Sequence, residues 1–190
     1  MGRWEPDARE RLVRAALDLF DEQGYDDTTV VQIASRAGLT KSTFFRHFPD
    51  KREVLFGGQD SMSGLLADGI TAAPESATAL EAVAAGLEAV AAAFTDERRR
   101  IQPQRLHVVA ANSELREREA LKLIRLSAAM TEALKKRGVP DSAAGVAAEL
   151  GLLAFREAYQ RWATSAGKQD FGELAQLTWQ ELLATTASLL

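Results

Sequence analysis

Residues 28–52, TTVVQIASRAGLTKSTFFRHFPDKR, decide the fold. Gly38-Leu39-Thr40 reads as a tight turn, because glycine supplies the backbone freedom such a turn needs. A short helix is expected before it, about Val30 to Ala37, capped by Thr29 and stopped by Gly38. A second is expected after it, about Lys41 to Phe48, capped by Thr40. Phe44 and Phe48 are four apart and face the core together. The opposite face then shows Lys41, Ser42, Phe45 and Arg46. A helix entering a DNA major groove needs this mixture: slim side chains for approach, donors for base edges and cations for flanking phosphates. Thr29 and Lys51 stand at the starts of the neighbouring helices, where free N–H groups attract phosphate.

Charge outside this block points another way. The 190-residue chain has 23 Lys and Arg against 27 Asp and Glu, a net charge of −4. Between residues 36 and 52, however, Arg36, Lys41, Arg46, Lys51 and Arg52 face only Asp50. Local fields, not the total, decide where a polyanion docks.

Strand signals are nearly missing, alanine is abundant and helix punctuation is frequent, so an all-α chain of nine helices is expected. The first runs from Asp7 to Gln23, with Leu12, Ala16, Leu19 and Phe20 on its apolar face. The fourth starts near Lys51 and continues towards Thr71. Pro74 breaks the chain. A fifth helix, Ala77 to Phe94, carries Leu80, Ala84, Leu87, Ala91 and Phe94 on one face. The sixth is expected over Arg98–Ala111 with Pro103 in or kinking it. The seventh spans Glu114–Arg137, the eighth Ser142–Ser165 and the ninth Phe171–Ser188, with Asp170 as cap. The domain division is expected at residues 1–52 and 53–190.

Composition removes most catalytic classes. Cysteine is absent and the two histidines, His47 and His107, lack metal-ligand spacing. No metal and no cofactor is expected. There is no nucleophile–base pair and no glycine-rich phosphate loop. No apolar run is long enough to span a membrane, and the N-terminus does not resemble a secretory signal, so a cytoplasmic protein that does not engage membranes is expected. The rival readings are a helical enzyme and a protein-interaction adaptor that has lost DNA binding.

The stretch ALDLFDEQGYDDTTVVQIASRAGLTKSTFFRHFPDKREVLF resembles the DNA-binding domain of the tetracycline-repressor (TetR) family. Its marks are the Phe-Gly-Tyr helix end, Thr-Thr-Val before Ile-Ala, Ala-Gly before the turn, and Phe-x-x-His-Phe before a Lys-led helix. The resemblance implies a nine-helix regulator whose third helix reads bases in operator DNA. It also implies phosphate contacts at Thr29, His47 and Lys51. The expected DNA-contacting set is Thr29, Thr40, Lys41, Ser42, Thr43, Phe45, Arg46, His47 and Lys51. Two positions depart from the family: Phe45 stands where tyrosine is usual, and Val31 where a polar or basic residue is frequent.

The rest of the chain resembles the ligand-binding domain of such regulators in length and helix count. PQRLHVVAANSELREREALKLIRLSAAMTEALKKRGV resembles the subgroup typified by the mycofactocin-system regulator, which implies an acyl-coenzyme A or another hydrophobic effector. Phe155, Tyr159 and Trp162 recur at four- and three-residue steps and suit either core packing or a cavity wall. With Phe94, Met130 and Gly151 they form the expected effector site, Gly151 leaving room beside Phe155. Leu150, Leu153 and Ala154 occupy another face of the same helix, and Trp179, Leu182 and Leu183 exceed one core stripe. These surplus faces are expected to pair in a homodimeric four-helix bundle. Arg98-Arg99-Arg100 reads as an exposed helix edge, since Asp96 and Glu97 precede it, and His107 as a satisfied histidine.

Overall fold

The computed structural model describes residues 7–57, 59–164 and 169–189. Every regular element among them is helical: α1 (Ala8–Gln23), α2 (Val30–Arg36), α3 (Lys41–His47), α4 (Glu53–Phe56), α5 (Gln59–Ala72), α6 (Ala79–Ala91), α7 (Asp96–Ala111), α8 (Ser113–Lys136), α9 (Asp141–Thr164) and α10 (Phe171–Ser188). The expected fourth helix is two, because Gly57 leaves helical backbone at ψ 132° and ends α4 after one turn. Nine expected helices therefore become ten among the described residues.

Local chemistry sets most helix starts. Asp7, Thr29, Thr40, Thr78 and Asp170 each cap a helix by accepting a backbone N–H in its first turn. Thr29 and Thr78 form reciprocal boxes with Gln32 and Glu81. At the end of α2, Gly38 takes φ +66°. The Leu39 N–H then donates to Ala34 C=O (2.8 Å) and the Gly38 N–H to Ser35 C=O (2.9 Å). That bond pair closes a helix and turns the chain into the next one.

Packing divides the chain into two compact units, one of residues 1–57 with 103–119, the other of residues 58–102 with 120–190. Chain order alone suggested a break at 52/53; α7 and α8 each contribute residues to both units.

In the first unit α1 packs on α2 and α4, and α2 on α3. The expected face of α1 is buried, as are Ile33, Ala34, Phe44, Phe48 and Val54. Residues 103–119 join this unit through polar anchors. The buried Arg105 donates through Nε to Leu55 C=O (2.8 Å), pairs with Glu119 (2.8 Å) and lies over the Phe56 ring. Arg118 pairs with Glu53, Arg52 bridges Asp50 (3.0 Å) and Glu114 (2.9 Å), and Asn112 donates to Asp26 (3.3 Å).

The second unit is built around α6, which packs on α5, α9 and α10. Its buried stripe is Ala82, Val83, Gly86, Leu87 and Val90, which keeps only Leu87 of the expected one. Three neighbours, not one, select the face. A Cβ on Gly69 would lie 2.9 Å from the Gly86 Cα, so these two glycines allow α5 and α6 to approach closely. Arg137 caps the end of α5, donating to the carbonyls of Ala73 (2.7 Å) and Pro74 (2.5 Å).

Phe44 is fully buried and α3 is only seven residues long, too short to persist without tertiary packing. Phe44→Ala should destabilise the first unit by about 3–5 kcal/mol, read by denaturant unfolding followed through hydrogen exchange of α2 and α3 amides.

Candidate nucleic-acid interface

The five cations of residues 36–52 fall into two groups. Arg36 is held bidentately by Glu22 (2.9 and 2.7 Å). Arg52 is held by Asp50 and Glu114. Lys51 is half-buried, and its ammonium donates to the carbonyls of Tyr25 (2.6 Å), Thr28 (2.9 Å) and Asp26 (3.4 Å), 4.0 Å from the Tyr25 ring centre. Burial pushes its pKa below the ordinary lysine value, against the pull of Asp26 and Glu114. Lys41 and Arg46, by contrast, have no carboxylate or hydrogen-bond partner among the described residues; Lys41 only lies 5.9 Å from the centre of the Phe45 ring. Both are exposed, and both are on α3.

The remaining α3 side chains agree with this division. Phe44 is the buried pole, and at 100° per residue Ser42 and Arg46 lie nearly opposite it. Phe45 and Lys41 share one flank, Thr43 and His47 the other. Ser42 is exposed, whereas Thr43 and His47 are partly covered. The hydroxyls of Thr29 and Thr40 are engaged as caps, Thr29 with Gln32 and Thr40 with Thr43. Both residues remain exposed at the helix starts.

Lys51 was expected to reach a phosphate; in the structure its ammonium closes the loop between α1 and α2. The three acceptors lie 23 to 26 residues away in sequence, which no local pattern reveals.

In the second unit, the expected effector residues meet as a packed cluster. Phe94 stacks on Phe171 with centroids 3.7 Å apart, and its ring also meets Trp162 (5.0 Å), Phe155 (6.0 Å) and Tyr159 (6.2 Å). Trp162 and Met130 are fully buried. The room expected beside Gly151 is absent: a Cβ there would lie 2.6 Å from Val83 Cγ1 and 3.3 Å from Met130 Sδ. Sequence reading missed the polar edge of this cluster. Arg99, expected on a solvent-exposed edge, is 9% exposed; it lies over the Trp162 ring (5.2 Å) and donates to Gln169 C=O (2.6 Å), while its buried Nε has no partner among the described residues. Tyr159 donates its hydroxyl to Gln102 (2.5 Å). Arg98, Arg100 and His107 are exposed.

The expected dimer-face residues also divide. Ala154 and Trp179 are buried within the protomer, so neither is available to a partner as it stands. Leu150, Leu182 and Leu183 are half-buried and Leu153 is exposed. Leu150 and Leu153 line an open groove of about 490 Å3 with Val146, Leu152, Glu149 and Arg156. Val146 on α9 and Leu177 on α10 are exposed apolar residues that the sequence reading did not single out.

Residues 12–56 match the family described as bacterial regulatory proteins, tetR family. The transcriptional regulator TcmR of Streptomyces glaucescens is 54% identical over 46 residues, which are 24% of this chain and 20% of TcmR. The chain thus spans about a fifth of that relative's length. Two solved structures share the fold over almost the whole chain. A putative TetR-family regulator from Syntrophomonas wolfei has a TM-score of 0.63 and 17% identity, covering 97% of each chain. The SmeT–triclosan complex has a TM-score of 0.62 and 21% identity, covering 95% of this chain and 91% of SmeT; SmeT is the repressor of a Stenotrophomonas maltophilia multidrug efflux pump. Residues 12–56 thus match that family, and the all-helical chain shares the fold of these two structures. No helix among the described residues is long and apolar enough to cross a membrane.

Replacing Lys51 by methionine keeps the apolar stem and removes three donors. It should cost the first unit about 2 kcal/mol in denaturant unfolding without DNA. Unchanged stability would show that these carbonyl contacts do not hold the loop.

Proposed function

We propose that this chain, whose residues 12–56 carry the tetR-family helix-turn-helix, is a homodimeric one-component transcriptional repressor. It binds near-palindromic double-stranded operator DNA through α2 and α3 and releases it when a small hydrophobic effector occupies the second unit. One observation carries the DNA part. Of the five cations around the turn, only Lys41 and Arg46 are unpaired among the described residues, and both are exposed side chains of α3. Unpaired cations flanking a slim Ser42 suit base edges and their phosphates, whereas an adaptor surface gains nothing from leaving them without counter-ions. Thr29 and Thr40 at the starts of α2 and α3, with Thr43 and His47 on the flank of α3, complete the contact set on the DNA backbone.

Groove geometry sets the demand on the dimer: two reading helices in successive major grooves are about 34–36 Å apart. The apolar groove along α9 supports a partner copy, with Val146, Leu150 and Leu153 at helical spacing and Leu177 exposed on α10. Effector binding acts by population shift, favouring a dimer whose reading helices no longer match both half-sites. The aromatic cluster of Phe94, Phe155, Tyr159 and Trp162, with Met130 below Gly151, supports an effector with an apolar body. Arg99 and Gln102 supply a polar edge suited to a carboxylate, thioester or phosphate head. An acyl-coenzyme A fits that description, and the resemblance of residues 103–139 to the mycofactocin-regulator subgroup supports the same class. An effector taken at this site must part Phe94 from Phe171.

Three measurements test the reading. Selection from random duplex DNA should enrich a near-palindrome, and Arg46→Ala should flatten preference at particular positions by about 1–3 kcal/mol; unchanged preference after Lys41, Ser42 and Arg46 are all replaced by alanine sinks it. Leu153→Arg should yield a folded monomer in sedimentation velocity that no longer binds a two-half-site duplex. Acyl-coenzyme A thioesters of increasing chain length should release the duplex with rising potency, and Phe94→Ala should alter that series while leaving operator affinity unchanged. A flat response across chain lengths rules out the acyl class.

A further inference from the structure

Among the described residues of the first unit, only Val31 and Phe45 are large, apolar and exposed, at 55% and 48%. Val31 is the second residue of α2, the helix that crosses the DNA backbone in helix-turn-helix docking. Phe45 is on α3 itself, on the same flank as Lys41 and next to Arg46. Its ring is held in place: it meets the buried Phe44 edge-on at 5.5 Å and lies 5.9 Å from the Lys41 ammonium. An aromatic ring supported from below and left half-bare above presents apolar area without the rotamer freedom of a long aliphatic chain.

A phenyl ring has nothing to give a phosphate, which asks for a donor or a cation. It has nothing to give the polar edges of guanine, adenine or cytosine. In the major groove one base carries an apolar group, thymine with its C5-methyl. We infer that Phe45 is a specificity residue that reads a thymine C5-methyl in each half-site, between the base edges reached by Ser42 and Arg46 and the strand flanked by Lys41. This rests on the DNA-binding reading above and adds the chemistry of one recognised base. The missing hydroxyl at position 45 then marks an exchange of a polar contact for an apolar one.

The test removes the methyl from the DNA and the ring from the protein in turn. Full-length protein is first used to select a duplex from a random library. Each thymine of the selected site is then replaced singly by deoxyuridine, which deletes the methyl and keeps the pairing. Equilibrium affinities are measured at one fixed salt concentration. One thymine per half-site should lose about fourfold in affinity on this change, the worth of one buried methyl. Phe45→Ala should bind the thymine duplex more weakly by a similar factor, and for this variant the same thymine-to-deoxyuridine change should have no further effect. Arg46→Ala should keep the full deoxyuridine effect.

The inference is overturned if no thymine is sensitive to deoxyuridine, or if the sensitivity survives unchanged in Phe45→Ala. The first arm uses only wild-type protein, so it holds even if the variant folds poorly. If selection enriches no sequence and duplex DNA is not retained, the DNA-binding reading falls and this inference with it. An enriched site without methyl dependence overturns this inference alone.

Discussion

The burial of Phe44 and Phe48 beneath α3 is the constraint on which the candidate interface depends. A seven-residue helix has almost no stability of its own. Its orientation comes from two aromatic side chains sunk into the core laid down by α1 and α2. Once those two point inward, Ser42 and Arg46 point outward, with Phe45 and Lys41 along one flank. The exposed chemistry of α3 is thus a consequence of what the helix buries.

A second constraint holds the frame around it. The loop between α1 and α2 leaves the carbonyls of Tyr25 and Thr28 part-buried, with that of Asp26 beside them. Lys51 satisfies them. Backbone acceptors left without donors in a partly buried loop are costly, so Lys51 serves the fold. The same economy appears at Arg105, whose guanidinium ties residues 103–119 to Leu55 and Glu119. Arg137 does the like in the second unit for the carbonyls at the end of α5. Arginine and lysine thereby close chain ends that no regular hydrogen-bond pattern reaches.

The two units use polar and apolar groups differently. The first buries aliphatic and aromatic residues under a helix pair and keeps unpaired charge on one outer face. The second gathers its aromatic rings around Phe94 and sets a buried arginine and an amide, Arg99 and Gln102, at their border. A buried guanidinium with one N–H unpartnered is expensive in an apolar setting. α7 and α8 contribute residues to both units.

Most helices, the turn after α2 and the outward face of α3 were legible in the sequence alone. Those features rest on short-range chemistry: threonine caps, a glycine with positive φ, and phenylalanines four residues apart on a 3.6-residue helix. Gly57 was as visible as Gly38, and with Gly58 it forms a dipeptide that marks turns, yet one helix was expected to run through it. Tertiary structure alone decided which cations are spent. Arg36, Lys51 and Arg52 read as equals of Lys41 and Arg46 until Glu22, Tyr25, Thr28 and Glu114 are brought beside them. It also decided that Arg99 is inside, that Ala154 and Trp179 are covered within the protomer, and that Gly151 is a contact with Val83 rather than a space. In each case the deciding atom lies on another element, and a side chain's periodicity records which face it shares, not what that face meets.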